Sequence, residues 1–229
     1  MRRTLLKICL SFAVLGAVFQ VATTQSGRAQ ETDTVGVASV VVVGDSLVSA
    51  SPKLYAEKLR AVGMTVQIDA VGSRALRFGW QCRDATGRLV ILKKPSSRAC
   101  RREGLEVLLN LRQTNALPDA VVIALGTNDA GLFKPAGIFA SLNNARTLIG
   151  ERPLFVVSVK KLTSSKKPGI WNSTANGWCA NDTNCTFIDW ASSPDAAVRA
   201  MYGSDRVHLT SAGLTARASF IALGVQAYK

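Results

Sequence analysis

Histidine is the scarcest reactive residue in this chain: of 229 residues only His208 carries an imidazole. A zinc site built from several histidines is therefore excluded, as is a histidine relay. Any reaction that needs a base working near neutral pH has one imidazole to draw on. Acidic residues are also few, with 15 Asp and Glu against 28 Lys and Arg, a formal charge of +13. Beyond residue 19 no apolar run approaches the ~20 residues that a membrane-crossing helix requires. The sequence has no internal repeat, heptad pattern or low-complexity tract, which excludes a solenoid or coiled coil. It also has no P-loop, no dinucleotide fingerprint after a strand and no G-x-S-x-G elbow, so the common nucleotide sites and the α/β-hydrolase nucleophile turn are absent.

The first 29 residues read as a secretory leader. Arg2, Arg3 and Lys7 form a basic start, residues 8–19 are apolar, and Gly27-Arg28-Ala29 places small residues where a signal peptidase inspects. Cleavage after Ala29 is expected, with an uncleaved anchor as the alternative and the only expected tie to a membrane. Residues 30–229 are then the right length for one domain with a full core. The leader holds four cations and no acid, so a net charge of +9 remains beyond it. Such a field attracts polyanions, and outside the cytoplasm these are anionic envelope polysaccharides or lipid head groups rather than nucleic acid. Simple solubility is the competing explanation of the charge, and a monomer is expected.

Cys9 lies within the leader behind Lys7 and Ile8, which does not fit a lipidated cysteine. Cys82, Cys100, Cys179 and Cys185 are an even set in an oxidising compartment, where disulfides are favoured. Nearness in sequence suggests Cys82 with Cys100 and Cys179 with Cys185, although four cysteines allow three connectivities. A four-cysteine zinc site is disfavoured because neither pair has the close C-x₂₋₄-C spacing.

Continuous apolar runs at residues 38–43, 64–70, 119–125 and 154–159, with a shorter one at 186–190, read as buried strands. Helical spacing occupies 52–61, 103–113, 138–149, 191–201 and 210–227. Strands without polar alternation, separated by helices, predict a three-layer α/β/α sandwich around a mainly parallel sheet of about five strands. In such a sheet chemistry gathers at the carboxyl ends of the strands.

Two short motifs fall there. Gly44-Asp45-Ser46-Leu47 follows the first strand, and Gly126-Thr127-Asn128-Asp129 follows the third; Asp205-Arg206-Val207-His208 precedes the last helix. A serine hydroxyl is almost wholly protonated at neutral pH and needs a base to become a nucleophile. His208 can serve as that base, and a carboxylate three residues earlier can orient its other ring nitrogen. Ser46 as a helix cap and Asn128 as a turn asparagine are the bland alternatives. Asp45 and Asp129 read as loop-shaping acceptors.

These motifs, in this order, resemble the SGNH or GDSL-type hydrolases, over residues 41–214, nearly all of the chain beyond the leader. The resemblance implies a flavodoxin-like sandwich, a nucleophile at Ser46, a base at His208 and its orienting acid at Asp205, with neither metal nor cofactor. It also implies an oxyanion hole from the backbone N–H of Ser46, a backbone N–H of the second block and the Asn128 side chain. That second block, Ala70-Val71-Gly72-Ser73-Arg74, departs from the family's Asn-x-Gly-x-Ser-Gly form, so the donor falls on either Gly72 or Ser73. It is similar to the extracytoplasmic domains of peptidoglycan O-acetyltransferases. The expectation is a secreted or periplasmic serine esterase acting on short acyl esters, with envelope carbohydrate as the expected carrier. An O-acyltransferase acting on a sugar hydroxyl is the second reading, and an idle carbohydrate-binding module the third.

Overall fold

The computed structural model describes residues 37–97 and 99–228; the expected leader lies outside the described residues. The chain's main sheet has five strands: β1 (Ser39–Gly44), β2 (Thr65–Ala70), β6 (Ala120–Ala124), β7 (Leu154–Val157) and β8 (Cys185–Ile188). Their order is β2-β1-β6-β7-β8 and every pairing is parallel. The sequence shows why. In β1, Val41 and Val43 enter one apolar cluster and Val40 and Val42 the other, all at most 1% exposed. Alternate residues of a strand face opposite sides, so a run of four valines has to be buried on both faces. Each fully buried side chain of this size contributes roughly 1.5–3 kcal/mol by area removed from water.

Helices cover both faces. α3 (Gly104–Gln113), α5 (Pro135–Ile149) and α6 (Lys167–Cys179) pack over one, while α2 (Pro52–Ala61) and α8 (Ser211–Gln226) pack over the other. The three-layer sandwich inferred from the sequence is the observed fold. No described helix is long and apolar enough to cross a membrane.

Three features were not foreseen. Between β2 and α3 a second sheet is inserted, antiparallel, made of β3 (Trp80–Arg83), β4 (Leu89–Leu92) and β5 (Arg101–Arg102) in the order β4-β3-β5. Its strands hold two to four residues each, too short to carry a hydrophobic period. α6 falls outside the expected helices, and Gly169, Asn172, Ser173, Asn176 and Gly177 within it are weak helix formers. It forms because Trp171, Ala175 and Trp178 are buried along one face. The helix expected over 191–201 is instead a 3₁₀ turn, the single helical turn α7 (Pro194–Ala197) and another 3₁₀ turn. Pro194 cannot continue a helix begun before it, and Ser193 starts a new turn by accepting a hydrogen bond from the Ala196 N–H.

Cys82 is joined to Cys100 and Cys179 to Cys185. The first bridge ties β3 to the segment before β5. The second ties the end of α6 to the start of β8.

Candidate active site

The carboxyl ends of β1, β2 and β6 lie side by side, since Gly44 pairs with Ala70 and with Ala124. The three blocks therefore emerge at one edge of the sheet. At the first, Asp45 caps the short helix α1 (Ser46–Ser49), its carboxylate accepting the Leu47 N–H at 2.9 Å. Gly44 is obligatory for this turn, because a Cβ there would lie 2.5 Å from the Val48 side chain. Ser46 emerges as the first residue of the helix.

His208 reaches Ser46 from the far end of the sequence. Its Nε2 lies 3.0 Å from Ser46 Oγ, and its Nδ1 2.5 Å from Asp205 Oδ2. The other carboxylate oxygen, Oδ1, accepts the backbone N–H groups of Val207 and His208, each at 3.0 Å. These bonds lower the Asp205 pKa to about 2, the His208 side chain first among the causes. The carboxylate is thus ionised throughout the neutral range and held in place by the loop that it serves. That loop is anchored in turn: Gly203 N–H donates to His208 O, Thr210 N–H to Met201 O and Leu162 N–H to Arg206 O. Asp205 and His208 remain about half exposed, so the site opens to solvent.

The second block is a tightly held turn. Ser73 takes a left-handed conformation at φ 61°, whereas Gly72 does not, and a side chain at Gly72 would meet nothing within 4 Å. Arg74, the last residue of that block, is buried at 2% exposure. It donates to Asp69 Oδ1, to the Asp69 and Gly44 carbonyls and to Arg102 O, lashing the turn to the ends of β1, β2 and β5. Arg77 is likewise spoken for by the buried Glu103, which also accepts the Ala75 N–H at 2.7 Å. Among the described residues, the backbone N–H groups of Ser46, Gly72 and Ser73 have no internal acceptor.

The third block closes onto the second. The Asn128 side-chain amide donates to Arg74 O at 2.9 Å, which uses one of its two hydrogens. Asp129 accepts the N–H of Leu76 at 2.6 Å and of Gly126 at 3.0 Å. Burial pushes the Asp129 pKa up to about 7, against these two bonds and with some help from Asp45. Gly126, at φ 113°, packs its bare Cα against Trp171, where a Cβ would come within 2.4 Å. Asp45 and Asp129 thus shape loops, as expected.

One buried charge escaped the sequence reading. Arg217 of α8 is fully buried, donates to Tyr55 Oη at 3.0 Å and acts on Asp45, whose pKa burial nevertheless raises. The available signal was a lone arginine among the apolar residues of the last helix. Among the described residues no cluster of three or more His, Cys, Asp or Glu side chains could hold a metal ion.

A serine hydroxyl, an imidazole and a carboxylate in line, beside backbone N–H groups without an internal acceptor, are an arrangement suited to acyl transfer. No protein-family model matches the chain, and no curated protein matches it by sequence. Solved structures do match it. The C-terminal catalytic domain of Streptococcus pneumoniae peptidoglycan O-acetyltransferase A is similar at 19% identity and a TM-score of 0.55, over 83% of this chain and 92% of that one. A lipase/acylhydrolase from Enterococcus faecalis is similar at 16% identity and a TM-score of 0.62, over 83% and 96%. A member of the lipolytic G-D-S-L family from Veillonella parvula is similar at 13% identity and a TM-score of 0.57, over 84% and 98%. At such identities the likeness is one of architecture, and the chain carries the fold of the SGNH or GDSL-type hydrolases and of the O-acetyltransferase domains built like them.

Proposed function

We propose that the protein is an extracytoplasmic serine esterase that removes short acyl groups from carbohydrate, through an acyl-enzyme on Ser46. The observation that carries this reading is the unbroken contact from Asp205 through His208 to Ser46 Oγ. In the first step Ser46 Oγ attacks the ester carbonyl carbon while His208 Nε2 takes its proton, and Asp205 stabilises the imidazolium. The negative oxygen of the tetrahedral intermediate accepts from the N–H of Ser46, from the N–H of Gly72 or Ser73 and from the second amide hydrogen of Asn128. His208 then returns the proton to the departing sugar oxygen, leaving an ester on Ser46. Water attacks that ester with His208 again as base, releasing the carboxylic acid and restoring the serine. The two disulfides support an oxidising compartment.

A second reading differs only in the last step, where a sugar hydroxyl replaces water. It is favoured by the likeness to a peptidoglycan O-acetyltransferase domain and by the exposed site. Turnover of a chromogenic acetyl ester with and without saccharide, read by mass spectrometry, separates the two: hydrolysis yields acetate alone, transfer an acetylated sugar. Ser46→Ala is expected to lower kcat by about 10⁴ or more, as loss of a triad serine does elsewhere. Full activity in that variant, or a covalent serine probe mapped to another residue, defeats both readings.

A further inference from the structure

A cavity of about 430 Å³ lies between the second block and the small antiparallel sheet, within the range of small-ligand sites. Gly72 and Ser73 form one wall, and Gln81, Arg83, Leu89 and Arg101 line the other. The strand register explains why these four converge. Gln81 and Arg83 are two apart on β3 and so point to one side, Leu89 pairs with Arg83, and Arg101 pairs with Gln81. The Cys82–Cys100 bridge fixes β3 to the segment that completes the wall.

The lining is polar in a way that internal structure does not account for. Gln81 is 5% exposed, yet its side-chain nitrogen has no acceptor among the described residues. Arg83 gives one hydrogen bond, to Gly87 O at 2.7 Å, and has donors to spare. Among the described residues neither Arg83 nor Arg101 is paired with a carboxylate, whereas Arg74 and Arg77 both are. A guanidinium presents a planar fork that matches a carboxylate. Leu89, exposed at 42%, offers an apolar surface to one face of a sugar ring.

We infer that this cavity is a subsite for a carboxylate-bearing sugar residue, so that the substrate is an acylated polyuronate held beside the oxyanion turn. Arg83 and Arg101 take the carboxylate, and Leu89 packs against the sugar ring. The inference rests on the esterase reading for its place in a reaction, but its binding chemistry can be measured without turnover.

The experiment is calorimetric titration of the full protein with trigalacturonate, with maltotriose and with glucose 1-phosphate, at low salt. Trigalacturonate is expected to bind most tightly. Arg83→Gln with Arg101→Gln should weaken it about tenfold or more, while Lys53→Gln with Lys58→Gln on α2 should not change it. Equal affinity for maltotriose, tighter binding of glucose 1-phosphate, or equal loss in the Lys53 and Lys58 variant would each overturn the subsite. An inactive protein that binds trigalacturonate refutes the esterase reading alone, and an active esterase that does not bind it refutes the subsite alone.

Discussion

Asp205 uses one oxygen to orient His208 and the other to hold the backbone of its own loop. Substitution by Asn keeps the shape but presents either a hydrogen donor or a weaker acceptor to the imidazole, favouring the wrong tautomer. Asp205→Asn is therefore expected to lower kcat by roughly 10⁴, the scale of the same change in another triad. Because the side chain is half exposed, Tm should change little; a kcat loss matched by unfolding in the melting curve would make the residue structural only. Asp129 gives the opposite kind of effect. With a folded pKa of about 7 against 3.8 for the ordinary carboxyl, the native chain holds a proton there that the unfolded chain has lost. Stability from this group is therefore present at low pH and lost as pH rises from about 4 to about 7, by at most ~1.4 kcal/mol per unit. Urea midpoints at several pH values check this: Asp129→Asn should flatten that decline relative to the native protein. Parallel slopes would contradict it.

At the scale of elements, legibility followed length and apolar content. β1, β6 and β7 could be read because both faces of each are buried, and the motifs at their carboxyl ends inherited a position from them. Ser46 and Asn128 are placed by that logic, whereas His208 stands out as the single histidine, three residues after an acid. Arg74 could not be placed, since a buried arginine saturated by carbonyls looks like a surface one in sequence. Nor could the small sheet, whose strands owe their pairing to a hairpin around Asp84, Thr86 and Gly87 and to the bridge at its base. The bridge spans 18 residues, and closing a loop of that size is worth about 3 kcal/mol in the chain-entropy account. Replacing Cys82 and Cys100 together by Ser should lower unfolding stability by roughly 2–4 kcal/mol. Hydrogen exchange should quicken in β3, β4 and β5 while β1, β6 and β7 stay protected. Uniform loss of protection across both sheets would mean that the inserted sheet unfolds with the core rather than by itself.

Over the whole molecule the positive charge is less available than its count suggests. Arg74, Arg77 and Arg217 are buried, or paired to buried acids, and Arg146 is committed to Asp182. Arg102 lies over the Trp80 ring at 4.8 Å. What remains exposed around the small sheet is Arg83, Arg88, Lys93, Lys94 and Arg101, while Arg98 lies outside the described residues. That sheet borders the second block, and the field these cations make should act on the arrival of a polyanion more than on the chemistry. Exposed charges are screened over about 8 Å at physiological salt. KM for an acetylated polyuronate is therefore expected to rise as salt increases from ~0.05 to ~0.5 M, with kcat nearly constant, while KM for a small neutral acetyl ester stays level. Lys93→Gln with Lys94→Gln should reproduce part of that rise at low salt, because neither side chain lines the cavity and both contribute to the field around it. Equal salt response for the two substrates would reduce the basic face to a means of staying dissolved, and would leave Arg83 and Arg101 to act by contact alone.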